Sequence, residues 1–266
     1  MNIISWNCKG AASKAFPSII RDLRQEYKAN FFILLETHVS GTRGKQIRDK
    51  MGFDKSCVVD AIGHSGGIWC LWDSSVWSID VVEQDRQYIH LKVSGKNSIP
   101  WLLTAVYGSP QKLTRRAMWN SIETYARNVN LPWCLVGDFN AMLHNNEKRS
   151  GSTNNNQSAC REFQECVSTR GLVDLGYSGW PFTWKRGNLA ERLDRGLSNL
   201  EWQIAFPEAY VKHLSMFNSD HSPICLQLSN AVTQNRRRRP FRFLAAWITH
   251  PDFGNFGDAA WNVKNS

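Results

Sequence analysis

At 266 residues the chain can form one large α/β domain or two small ones, and it can bury a sizeable core. Its 42% hydrophobic and 12% aromatic content excludes the disordered class. The net charge of +9 favours a polyanionic partner, nucleic acid or less often an anionic membrane.

Met1 to Trp6 reads as a short strand running into Asn7. Ala15, Ile19, Ile20, Leu23 and Tyr27 recur at helical spacing, and Phe31 to Leu35 is a buried strand. That run is too short for a signal-peptide core or a membrane span, so an intracellular protein is expected. After Gly66-Gly67 come strand-like stretches at Ile68–Trp72, Val76–Val82, Tyr88–Val93 and Trp101–Val106. Ala117 to Tyr125 is helical, Trp133–Val136 is a buried strand, and Ser158 to Arg170 is a helix stopped by Gly171. Phe182–Trp184, Arg192–Leu197 and Ile224–Leu228 complete the strands.

Many strands with few helices between them argue for stacked, mostly antiparallel sheets with helices outside. Composition shifts once, at Thr233-Gln234-Asn235 before Arg236-Arg237-Arg238-Arg239-Pro240. The expected organisation is a domain over 1–232 and a basic tail over 233–266. The seven cysteines show no CxxC pair, which fits reduced core thiols and neither a disulfide frame nor a zinc site.

Apolar strands repeatedly end in carboxylate, amide or imidazole. Leu34-Leu35 is followed by Glu36, Leu135-Val136 by Gly137-Asp138-Phe139-Asn140, and Trp6 by Asn7, while Asp220-His221 precede the Pro223–Leu228 run. Each residue alone fits an ordinary turn, since Asp, Asn and Gly favour turns for local backbone reasons. Together, oxygen donors with no cysteine suit a hard cation such as Mg²⁺ or Mn²⁺, and one imidazole can protonate or stabilise a phosphoryl oxygen.

The strings SWNCKG, LLETH, VYG, GDFN, RLDRGLSN and SDHSPI follow, in order, the motifs of the endonuclease/exonuclease/phosphatase superfamily, which this sequence resembles over about residues 1 to 230. SGGIWCLW, GDFNAML, GLVDLGYSGWPFTW and the tail segment RPFRFLAAWITHPDF also resemble the plant subgroup of LINE-class (non-LTR) retrotransposon endonucleases. The resemblance implies an α/β fold of the α+β type, a four-layered sandwich like that of deoxyribonuclease I. It implies a metal-dependent phosphodiester hydrolase that nicks duplex DNA. A phosphatase of the same superfamily and a non-catalytic nucleic-acid-binding relic are the alternatives.

By that resemblance Glu36 is the principal metal ligand, supported by Asn7 and Asp220, and the cofactor is Mg²⁺ or Mn²⁺. Asp138 orients or deprotonates water, Asn140 holds the phosphate, Tyr107 donates its hydroxyl, and His221 stabilises the transition state with Asp194 fixing its tautomer. Abasic-site repair enzymes carry an aspartate two residues after the first asparagine, where this chain has Lys9; that departure argues against a dedicated repair role.

Arg115-Arg116, Lys148-Arg149 and Lys185-Arg186 are candidate phosphate contacts. The Asn154-Asn155-Asn156 run is another candidate, or a plain loop. His38, His64, His90, His144, His213 and His250 have no motif support and read as surface or core histidines. Trp180 and Trp184 read as packing residues near the substrate face. The expected partner is DNA, with no membrane, no small-molecule cofactor, a monomeric domain and a nuclear location.

Overall fold

The computed structural model describes residues 1–95, 98–149 and 160–228. β1 (Asn2–Asn7) leads through α1 (Phe16–Tyr27) to β2 (Ala29–Leu35), which runs parallel to β1. Pro17 fits the first turn of α1, whose Phe16, Ile20 and Leu23 are buried. α2 (Gly41–Arg48), β3 (Lys55–Val59) and β4 (Ile68–Trp72) follow, with β4 antiparallel to both β2 and β3. The sequence pattern predicts neither α2 nor β3. α2 buries only Gly44, close to the Trp69 ring, so it has no apolar stripe to read, and β3 is a half-exposed edge strand.

β5 (Ser78–Gln84), β6 (Tyr88–Gly95) and β7 (Ser98–Tyr107) form an antiparallel meander. β5 starts later than its apolar run suggests, because the Val76 and Trp77 N–H groups turn back to the Asp73 carbonyl. α3 (Lys112–Ala126) then crosses over to β8 (Trp133–Asp138), parallel to β7. Beyond it lie β9 (Lys148–Arg149), α4 (Arg161–Thr169), β10 (Val173–Asp174), β11 (Trp184–Arg186), β12 (Leu189–Glu191) and β13 (Asp194–Ser198). The last described elements are α5 (Leu200–Ala205), β14 (Tyr210–His213) and β15 (Ile224–Gln227). β11 and β13 begin two residues later than their apolar runs. The buried Thr183 hydroxyl accepts the Leu193 and Asp194 N–H groups and takes the place of ladder bonds there.

Two six-stranded sheets result, ordered β14-β15-β1-β2-β4-β3 and β10-β13-β8-β7-β6-β5, beside a small sheet of β11-β12-β9. Each large sheet contains one parallel pair, β1/β2 and β7/β8, and every other pairing is antiparallel. The period-2 alternation of β-strands sorts the side chains. Phe31, Ile33, Leu35 and Ile68 meet Ile89, Leu91, Leu103 and Val136 in the core between the sheets. Phe32, Leu34 and Trp69 pack with Phe16 and Ile20 of α1, and Val106 and Leu135 pack with Trp119 of α3 and Phe163 of α4. The order helix, sheet, sheet, helix is the four-layered sandwich expected. No described helix is long and apolar enough to cross a membrane.

Arg195, fully buried, and Arg192 bond to the carboxylates of Glu147 and Asp174 at 2.7–3.0 Å, a network that brackets β13. Burial alone would raise the Glu147 carboxyl, but the Arg195 and Arg192 guanidiniums outweigh it and hold it below its usual range.

His90 is buried on β6, stacked on Tyr125 at 3.8 Å. The Trp133 indole N–H donates to Thr104 Oγ1, which leaves that hydroxyl free to donate to His90 Nδ1 at 2.7 Å. Burial lowers the imidazole to a pKa of about 3, so the folded state holds it neutral. A folded-state pKa below the unfolded value stabilises above the unfolded pKa and loses that contribution as pH falls. The expected cost is roughly 1.4 kcal/mol per pH unit below about pH 6.5. Urea unfolding of wild type and His90→Phe across this range measures it, and equal acid sensitivity of the two would remove His90 as the cause.

The tail over 233–266 with its arginine run, the Asn154–Asn156 run and the expected start of the helix at Ser158 lie outside the described residues.

Candidate active site

The parallel pairs explain why the polar residues converge. β1 and β2 end together, at Asn7 and just before Glu36, and β7 and β8 end together at Tyr107 and Asp138. β13 is antiparallel to β8 and starts at that same end, with Asp194 opposite Asp138. β15 is antiparallel to β1, so its entry segment carries Asp220 and His221 to the end where Asn7 sits. A rigid sheet fixes each of these strand ends.

At this end, three hydrogen bonds join residues on or next to one sheet to residues of the other. Asn7 Nδ2 donates to Asp138 Oδ2 at 2.9 Å, the Tyr107 hydroxyl donates to Glu36 Oε1 at 2.8 Å, and His221 Nδ1 meets Asp194 Oδ2 at 2.8 Å. Asn7, Asp138, Asp194 and His221 are all buried. His221 Nε2 points the other way, 3.8 Å from Asp138 Oδ2, so the imidazole lies between two carboxylates.

Two glycines make the geometry attainable. Gly137 has φ +150, and a Cβ there would fall 2.0 Å from the Val106 carbonyl oxygen. Gly67 has φ +97, and its Cβ would fall 2.3 Å from Thr37 Oγ1 beside Glu36. Glu36 and Asn140 take the left-handed conformation, at φ +51 and +47. Asn140 turns back so that its N–H donates to Asp138 Oδ1 at 2.8 Å and its amide to the Gly108 carbonyl at 2.8 Å.

Burial raises the Asp138 carboxyl above the usual carboxylate range, and nearby Asp194 adds to the rise while His221 opposes it. Burial would lower His221, but the carboxylates of Asp194 and Asp138 outweigh it and raise the imidazole. Burial, with the Glu36 carboxylate, keeps the Tyr107 phenol protonated and therefore a donor. Burial would raise Asp220, yet its bond to Lys9 holds it below the usual range.

The clustered histidine and carboxylate donors are Asp138, Asp194 and His221, with atoms within 4.8 Å of one another. That trio is already joined by the His221–Asp194 bond, which makes it an acid–base group better than a cation cage. The expected metal ligands Glu36 and Asp220 sit beside it. Glu36 Oε2 has His38 Nε2 at 3.5 Å, and Asp220 Oδ1 is buried with no hydrogen-bond partner. A buried carboxylate oxygen with no protein partner fits a hard divalent cation.

Of the basic candidates, Lys185 and Arg186 are exposed on the β11–β12 hairpin, and the Lys185 N–H donates to the Asp220 carbonyl at 3.0 Å, which docks the hairpin against the site. Arg116 is exposed, but Arg115 is half-buried and donates to the Ser109 and Pro110 carbonyls. The Lys148 side chain is 8% exposed and paired with Glu191 at 3.2 Å, so its ammonium faces protein. Three further residues touch the site without having been expected in it. His38 approaches Glu36, Trp184 Nε1 donates to Asp220 Oδ2 at 3.2 Å, and Lys9 pairs with the same oxygen.

The model of the Endonuclease/Exonuclease/phosphatase family matches residues 4–221. The chain belongs to the endonuclease/exonuclease/phosphatase family. No curated protein matches it in sequence. Among solved structures, the family member is similar to the 3'-5' exonuclease NExo from Neisseria meningitidis, with TM-score 0.67 and 17% identity over 86% of this chain and 100% of that one. It is also similar to the AP endonuclease LMAP from Leishmania major, with TM-score 0.64 and 15% identity over 85% and 86% of the two chains. A third similar structure is the endonuclease domain of TRAS1, a telomere-specific non-LTR retrotransposon, with TM-score 0.58 and 16% identity over 85% and 96%. At these identities the likeness shows the fold.

Proposed function

We propose that this family member is a divalent-metal-dependent endonuclease that nicks duplex DNA, the cleavage domain of a plant LINE-class retrotransposon. The observation that carries the reading is the buried His221, clamped by Asp194 at 2.8 Å and facing Asp138 at 3.8 Å. The retrotransposon assignment draws support from the strings WNCKG, SGGIWCLW and GLVDLGYSGWPFTW, and from the likeness to the TRAS1 domain. The charge of +9 and the exposed Lys185 and Arg186 favour a polyanion over a small sugar phosphate. Such a domain works as a monomer on DNA in the nucleus.

Asp138, with its raised pKa, orients water and takes its proton. His221 carries a proton at Nε2 toward a phosphoryl oxygen, while Asp194 holds Nδ1–H. The Tyr107 hydroxyl and the Asn140 amide flank the site and would exchange their present bonds to Glu36 and Gly108 for phosphate oxygens. Glu36, Asn7 and Asp220 would hold a Mg²⁺ or Mn²⁺ ion, whose charge, when bound, offsets the negative charge that develops on the phosphate.

Supercoiled plasmid incubated with the purified protein is expected to become open circle with Mg²⁺ or Mn²⁺ and to stay intact with chelator. Plasmid that stays supercoiled under both metals, with phosphate released from a small phosphomonoester, would replace this reading with a phosphatase. Asp194→Asn is expected to keep DNA affinity and lower the nicking rate about 10²-fold, the lower end for a positioned acid–base group, because Asp194 acts through His221. An unchanged rate would remove Asp194 from the relay.

A further inference from the structure

Asp220 is held on one side and unpartnered on the other. Its Oδ2 bonds to the Lys9 ammonium and to the Trp184 indole N–H, while its buried Oδ1 has no partner. Lys9 reaches this place through its backbone. It sits at φ +50, its N–H donates to Asn7 Oδ1 at 3.3 Å, and Gly10 follows at φ +117. The Ser219 hydroxyl donates to the Asn7 carbonyl at 2.8 Å and ties this turn to the segment that carries Asp220. A left-handed lysine is strained. An exposed ion pair returns little, and Lys9 is 53% exposed, so stability alone does not account for the arrangement.

We infer that Lys9 is a positioning residue: a fixed cation that neutralises Asp220 through Oδ2, leaves Oδ1 alone for a divalent ion held with Glu36, and so limits the site to one tightly bound ion. The inference rests on the metal-dependent reading above. A unit positive charge in contact with a ligand carboxylate weakens that carboxylate's hold on a dication. The same ammonium, half in solvent, adds positive potential where an anionic phosphate arrives. Lys9 thus supplies in protein form part of the charge that a second ion would bring.

The test is Mn²⁺ binding to the whole chain, by calorimetry and by the loss of the free-ion paramagnetic signal, for wild type, Lys9→Met, Lys9→Arg, Lys9→Asp and Glu36→Gln. Wild type should bind one tight ion, and Lys9→Met should bind Mn²⁺ about 10-fold more tightly. Lys9→Arg should match wild type, and Lys9→Asp should take up a second ion. Circular dichroism confirms that each variant is folded. Two tight ions in wild type, or equal affinity in wild type and Lys9→Met, would overturn the role of Lys9. If Glu36→Gln binds Mn²⁺ as wild type does, or wild type binds none, the metal reading itself falls, which is a separate result.

Discussion

Asp138→Ala is expected to lower the plasmid-nicking rate by about 10⁴-fold, the upper end of what a proton-transfer group contributes. Its carboxylate meets the Asn7 amide, the Asn140 amide and backbone, and His221, so it sits at the centre of the site's hydrogen bonds. Asp138→Asn keeps the side chain's shape and removes its basicity, and it should lose nearly as much. Rates of supercoil loss, with circular dichroism to confirm the fold, decide the point. Either variant cutting at the wild-type rate would sink the assignment of Asp138 as base.

Arg195→Ala should destabilise the domain by about 3–5 kcal/mol, the cost of removing one partner from a buried ion network. Arg195 is fully buried and bonds to both oxygens of Glu147, to Asp174, and to the Arg192 and Ala141 carbonyls. Lysine cannot reproduce that fork of donors, so Arg195→Lys should recover little of the loss. Urea midpoints measure it, and a shift within about 0.5 kcal/mol, the range of ordinary surface changes, would mean the network is dispensable. Because Asp194 lies between Arg192 and Arg195 on the chain, the partly unfolded variant should lose nicking activity along with stability.

The parts of this molecule that can be read from sequence are those where burial imposes a period. β1, β2, β4, β6, β7 and β8 carry apolar runs because two layers cover them, and the residues just past them stand out as polar. α2, β3 and β14 sit at margins, bury few side chains and leave no such trace. The same logic divides the site. Asn7, Glu36, Tyr107, Asp138, Asn140, Asp194, Asp220 and His221 fall in motifs, and the fold places them together. His38 and Trp184 approach the site through the left-handed turn after Glu36 and through the docked hairpin, which no local pattern encodes. Lys9 is visible in sequence as a departure, but its bond to Asp220 spans the chain from one end of the domain to the other. Arg115 carries a role the sequence does not announce: one nitrogen of its guanidinium donates to the carbonyls of its own loop.

The three hydrogen bonds that join the two halves of the site have a kinetic consequence. Asn7 and Asp138 are 131 positions apart, Glu36 and Tyr107 71, and Asp194 and His221 27, so no local segment can form the site in advance. Loops of such length must close before these contacts form, and folds dominated by non-local pairing refold slowly, on the order of milliseconds to seconds. The β1–α1–β2 and β7–α3–β8 units can form first, since each parallel pair is joined by a nearby crossover. Nuclease competence should therefore return with the last refolding phase, after the circular dichroism signal has recovered, and the reappearance of cutting becomes a clock for the docking of one layer on the other.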